Sequence, residues 1–459
     1  MQKVYLITDY GASPDTDALQ TDFIQSAIDE CFRNGGGEVV IPRGDFRTGD
    51  IRLRSHVTLK LLSGAKLVGS RDPEEYFHYL NDKLEPLPES YMTPQLFTPF
   101  RNFKPTDHYD PDDHNYDYVR LAGSRWNNAL IRAFDAEDIA VIGEPDSIID
   151  GDDPFDEVGE ENYRGPHGMT FFGCKGVKLA GYTIVNTGNW AHNLRDCDNI
   201  DYSGVTALAG HDGIHMSVCS NIKITDSVFK TGDDCIAGFA NVNTIVERCY
   251  INSSCSAFRF GGTNMVVRDC DLVGPGEYAF RGSLSKEDKR AGVPSPKDGG
   301  RRNMLSAFTY YADYSLPITE KPGNIVIENC RFRNVDRFLH YNYSGNETWQ
   351  KQRPLSDIRF EKIDAEGVRM PLSAYGGASE PLTLTLRDVN VKFSEKAEAF
   401  LWLCNHDRVL LERVKVEGLG GDSKLIETWS EGEIVLRDVQ HDAGAEIVRA
   451  GRDFACRAI

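Results

Sequence analysis

Residues 211–235 read HDGIHMSVCSNIKITDSVFKTGDDC, and the fold is decided by the interval inside this stretch. It holds three aspartates, Asp212, Asp233 and Asp234, with 22 residues separating the first from the last. The same interval runs outward in both directions. The residue that follows a short polar turn recurs at Val177, Ile200, Ile222, Thr244 and Met265, in steps of 23, 22, 22 and 21. Ile139 precedes this series, and Ile325, Ile358, Leu384, Val409 and Ile434 extend it with longer insertions between. A period near 22 that carries short β-branched strands and no helix in each unit specifies coils stacked along one axis. Leucine-rich repeats share the period, but their regular leucine frame is missing. The expected fold is all-β: a right-handed parallel β-helix with a short N-terminal cap that contains a helix.

Each coil adds roughly 4.8 Å to such a stack, so equivalent positions form columns. One column reads Trp190, Asp212, Asp234, Ser256, and its neighbour holds His211 and Asp233. Two carboxylates one strand spacing apart repel when both are ionised, which couples their titrations. One protonated and one ionised carboxyl group is what acid–base cleavage of an acetal needs. Adjacent strand residues face opposite sides, so Asp233 and Asp234 share a cleft only at a coil corner, and Gly232 would permit that bend. A single aspartate in a coil stack is as well explained by a ladder bonded to backbone amides. Three within 23 residues favour chemistry.

The 459 residues are expected to form one β-helix domain over 1–459, with a cap and first coils at 1–70, a loop excursion at 71–130 and main coils at 131–459. A basic insertion falls at about 281–322 within the main coils. In the cap, Phe23, Ile24, Ala27, Ile28, Cys31 and Phe32 recur at helical spacing, Thr21 and Asp22 offer caps, and Asn34-Gly35-Gly36-Gly37 stops the helix. A net charge of −19 argues against nucleic acid as partner. No stretch has the length of a membrane span or a signal-peptide core, so a cytoplasmic location is expected, or a secreted one if a leader was removed. The eleven cysteines, several at one repeated coil position, read as small core residues rather than disulfides. His192, His211 and His215 lie 19 and 4 residues apart on strands, which matches no zinc motif, so neither metal nor cofactor is expected. Nine acids between Glu144 and Glu161 read as a solvated acidic loop before a Ca²⁺ site.

Beyond the repeat, the chain resembles glycoside hydrolase family 28, the polygalacturonase-like, pectin-degrading enzymes. The resemblance is carried by TDYGASPDTDALQTDFIQSAIDEC and GGGEVVIPRGDFRTGDIRLRSHVTLKLLSGAKLVGS in the opening segment. Ile149-Asp150-Gly151, Asn186-Thr187-Gly188-Asn189-Trp190 and Gly232-Asp233-Asp234-Cys235 then follow in the family's order. It implies an inverting hydrolase in which Asp233 protonates the leaving glycosidic oxygen while Asp212 and Asp234 activate water. It also implies an oligo- or polysaccharide partner, with an anionic sugar as a candidate. The chain departs from the family pattern in three places. Gly210-His211-Asp212 stands for Asn-Thr-Asp, Cys255-Ser256-Ala257 for Gly-His-Gly, and Ala279-Phe280-Arg281 for Arg-Ile-Lys. Substrate contacts are therefore expected from Arg281, Arg259, Tyr341, Tyr343, Trp190, His211 and Ser256. A β-helix polysaccharide lyase and a non-catalytic carbohydrate-binding β-helix are the competing readings. The sequence specifies neither sugar nor oligomeric state.

Overall fold

The structure, a computed structural model, describes residues 3–76, 125–158, 164–278, 280, 287–288, 291, 293, 303–310, 322–344 and 353–450. The loop excursion beyond residue 76 and most of the basic insertion fall outside them. The chain divides into two compact units: one runs to Asp233 and includes Tyr278 and Phe280, and the other holds Asp234–Glu277 and the described residues from 303 onward. Every strand pairing printed below is parallel, and each unit is a right-handed parallel β-helix.

In the first unit the aligned apolar positions are direct register partners. Ile139 pairs with Val177, Val177 with Ile200, and Ile200 with Ile222. The second unit continues with Thr244, Met265, Ile325, Ile358, Leu384, Val409 and Ile434, each in register with the next. The period has a local cause. The residue just before the aligned position is left-handed at Asp138, Gly176, Asn199, Asn221, Asn243, Asn264 and Asn324, with φ between 51° and 69°. Asparagine, aspartate and glycine tolerate that region best, and one such residue turns the chain into each new strand. In the second unit these corners are also tied together. Asn264 Nδ2 donates to Asn243 Oδ1 at 3.1 Å, Asn324 Nδ2 to Asn264 Oδ1 at 2.9 Å, and Arg359 ends the ladder on Asn324 Oδ1 at 2.8 Å.

The ten described cysteines are free thiols. Cys174, Cys197 and Cys219 occupy one corner of successive coils, each donating to the carbonyl two residues earlier at 3.3–3.5 Å. Cys249, Cys270 and Cys330 repeat the device in the second unit at 3.2–3.4 Å. A thiol suits this corner because it is small, apolar and carries a weak donor.

The cap helix spans Thr21–Arg33 and buries Ile24, Ala27, Ile28 and Cys31. Phe23 and Phe32 face outward instead, Phe32 under the Arg54 guanidinium at 5.9 Å. Neither Thr21 nor Asp22 caps the helix: Gln20 is the capping residue, and its carbonyl accepts the amides of Phe23 and Ile24 at 3.1 and 3.0 Å. Thr21 Oγ1 instead accepts from Gly49 N at 2.8 Å, which ties the helix to a neighbouring coil. The glycine stop is confirmed, since a Cβ on Gly36 would lie 2.3 Å from the His56 carbonyl oxygen.

The acidic run is held by cations rather than solvated throughout. Asp150 pairs with Lys66 at 2.8 Å, Asp152 with Arg47 at 2.8 Å and Arg71 at 3.0 Å, and Asp156 with Arg125. Deeper in the first unit, Asp50 and Arg132 form an ion pair with both side chains 1% exposed. Removing one partner strands a charge away from water, so Asp50→Ala should destabilise the fold by about 3–5 kcal/mol. Urea unfolding checks this, and a change near 1 kcal/mol would contradict a buried pair.

Candidate active site

In the first unit the strand Thr206–Ala209 ends in a bend that carries His211 and Asp212, and the chain re-enters the sheet at Ile214–Ser217. Asp212 Oδ2 lies 3.0 Å from His215 Nδ1, and each side chain is 5% exposed. The His215 ring lies flat on Trp190, with centroids 3.9 Å apart and planes inclined by 3°. Trp190 is fixed from behind by the edge of Trp126 at 5.5 Å and by His167 at 5.2 Å. The adjacent buried histidine is wired differently. His192 Nδ1 donates to the Gly213 carbonyl at 2.9 Å, and its Nε2 accepts from the Tyr182 hydroxyl at 2.9 Å.

Asp233 ends the first unit at a bend, half-buried. Gly232 N donates to the Ala209 carbonyl at 2.9 Å, and Thr231 Oγ1 closes the turn on the Asp233 carbonyl at 2.6 Å. The expected corner is therefore present. In the second unit Asp234 is buried; its Oδ1 accepts the Ser256 amide at 3.1 Å and its Oδ2 lies 3.9 Å from Arg259 Nε. A backbone amide and a nearby guanidinium thus face this buried carboxyl group.

Several expected substrate contacts are corrected. Tyr341 is fully buried, and its hydroxyl donates to the Arg353 carbonyl at 3.3 Å and accepts from Leu355 N at 2.9 Å, so it is a core residue. Trp190 is 8% exposed, and His215 covers one face of its indole. His211 is buried edge-on against Phe280 at 5.9 Å, a packing position beside Asp212. Ser256 is buried as well and meets Asp234 through its backbone amide. Arg259, with 22% of its side chain exposed, approaches Asp234 and retains a solvent-facing part. Tyr343 is half-buried on Gly377, and Arg281 lies outside the described residues. Sequence reasoning weighed His215 only as a metal ligand and missed it as a partner of Asp212. Its signal was its place three residues after Asp212, on the strand that continues the acidic bend.

Comparison with known proteins agrees with this layout. Residues 121–255 match the model of glycosyl hydrolases family 28. A probable polygalacturonase from Vitis vinifera is 25% identical over 425 residues, covering 87% of this chain and 76% of that protein. An exo-poly-alpha-D-galacturonosidase from Dickeya chrysanthemi is 27% identical over 265 residues, 51% of this chain, and the match spans 41% of that protein. Among solved structures, an exopolygalacturonase from Thermotoga maritima superposes with a TM-score of 0.59 at 16% identity, covering 96% of this chain and 92% of that one. The family 28 exopolygalacturonase of Yersinia enterocolitica gives 0.54 at 16% identity, covering 99% and 79%. The fold is a right-handed parallel β-helix, and the family match and the relatives support a glycoside hydrolase. Over residues 121–255 the chain is similar to glycosyl hydrolases family 28. No helix among the described residues is long and apolar enough to cross a membrane.

Burial lowers the His192 pKa from 6.5 to about 4, against the smaller opposing effect of the Gly213 carbonyl. Between those values the unfolded chain binds the proton that the folded one refuses, so stability present above pH 6.5 falls as pH drops towards 4. His167, depressed in the same direction by burial and then by Arg195 and Arg164, adds to the slope. His192→Asn should flatten the loss across this window by on the order of 3 kcal/mol. Urea midpoints at several pH values measure it, and parallel curves for the two proteins would refute the assignment.

Proposed function

We propose that this protein hydrolyses an O-glycosidic bond in a pectin-type, galacturonate- or rhamnogalacturonan-like oligo- or polysaccharide by an inverting mechanism. The observation that carries the reading is the chemistry of the Gly232-Asp233-Asp234 bend. A half-buried carboxyl group lies directly before a buried carboxylate held by the Ser256 amide at 3.1 Å and approached by Arg259 at 3.9 Å. The first is half-buried at the bend, and the second is buried. In the reaction Asp233 gives its proton to the leaving glycosidic oxygen as the anomeric C–O bond breaks. Water adds from the opposite face and passes its proton to the Asp212/Asp234 side, so acid and base exchange protonation states and atoms balance. The names of the Vitis and Dickeya relatives support a galacturonate polymer as substrate. Arg259 is the described cation nearest this carboxylate chemistry and suits a uronate partner.

A panel of polygalacturonate, rhamnogalacturonan and neutral oligosaccharides tests the proposal, with the anomer of the first product read by NMR. Asp233→Asn should lower kcat at least about 10³-fold while thermal unfolding stays within a few degrees of wild type. Retained anomeric configuration, or near-normal turnover in Asp233→Asn, would sink the mechanism.

A further inference from the structure

We infer that His215 is the positioning residue for Asp212, a dyad that orients and keeps ionised one of the two water-activating carboxylates. The inference deepens the hydrolase reading above and rests on it for the role of Asp212.

The geometry separates this histidine from a merely buried one. Its neighbour His192 satisfies both ring nitrogens with a backbone carbonyl and a tyrosine hydroxyl, which is how an interior imidazole is ordinarily accommodated. His215 instead directs Nδ1 at a carboxylate oxygen, 3.0 Å away. Burying an imidazole and a carboxylate together costs more than burying two apolar side chains of that size, so fold stability does not account for the pair.

The bond also has the directionality a base requires. A carboxylate that rotates freely presents either oxygen to water. With Nδ1–H holding Oδ2, the carboxylate plane is fixed rather than free to rotate. A neutral imidazole donating to a carboxylate favours the ionised carboxylate, which is the competent state of a base.

The imidazole is itself held. Its plane lies 3.9 Å above Trp190 and 3° from parallel, so rotation about the Cβ–Cγ bond would drive the ring into the indole. Trp190 N donates to Asn189 Oδ1 at 3.0 Å, which also accepts from Arg164 at 3.3 Å, while the same guanidinium lies over Trp126 at 5.4 Å. The orientation of Asp212 is thus set through His215 by Trp190 and the residues behind it.

His215→Phe keeps a flat ring on Trp190 and removes the N–H, whereas His215→Asn places an amide N–H near the Nδ1 position. His167 against Trp190, Arg164 over Trp126, and His192, bonded to the Gly213 carbonyl, stay in both variants. On the substrate that wild type cleaves, His215→Phe should lower kcat about 10- to 100-fold with KM changed less than about 2-fold. It should move the acid limb of the kcat–pH profile upward by about one pH unit, and His215→Asn should recover most of both. In parallel, the Asp212 carboxyl carbon is titrated by NMR in wild type and variants, a readout independent of turnover. His215→Leu is read in the same way should the phenylalanine variant not fold. An unmoved acid limb or Asp212 midpoint, or equal losses in the asparagine and phenylalanine variants, overturns the inference. Failure of wild type to cleave any glycan defeats the hydrolase reading instead, and the Asp212 midpoints then decide the dyad alone.

Discussion

Parallel strands in register, one spacing apart, are the constraint on which everything else in this protein depends. The spacing is maintained by single left-handed residues at Asp138, Gly176, Asn199, Asn221, Asn243, Asn264 and Asn324, each just before an inward-facing side chain. A residue with a Cβ and no short polar group would be strained at these corners, and the strand after it would lose its register. Once the corners are fixed, inward positions stack like on like, and polar groups collect where the chain bends.

Those bends manage charge in two ways. Around Asp150 and Asp152 the carboxylates meet Lys66, Arg47 and Arg71 from earlier coils, and the effect is structural. Around Asp212 and Asp234 the partners are an imidazole and a backbone amide, with a guanidinium farther off. The same residue type therefore meets permanent cations in one place and an imidazole or a backbone amide in another.

The coil register was legible in the sequence because the aligned positions from Val177 to Ile222 and from Thr244 to Ile434 are consecutive partners. So was the bend at Asp233. A period assigns a residue to a column, but it does not say which way a side chain leaves a corner. Trp190 was legible as a neighbour of Asp212, yet its ring is covered by His215, because the turn before it aims the indole along the sheet. Tyr341 alternates with residues that face the other way, and its hydroxyl finds backbone partners near Leu355 that no local pattern announces. The start of the cap helix was misplaced by one residue for a similar reason: Thr21 is a good cap by type, but Gly49 claims its oxygen.

Met265 and Ile325 are adjacent in the sheet although 60 residues separate them in the chain. A coil is held by the coils above and below it, so the register of two paired positions does not fix the number of residues between them. Such an architecture lets natural selection rewrite what surrounds the carboxylates on one timescale while the carboxylates themselves stand still on another.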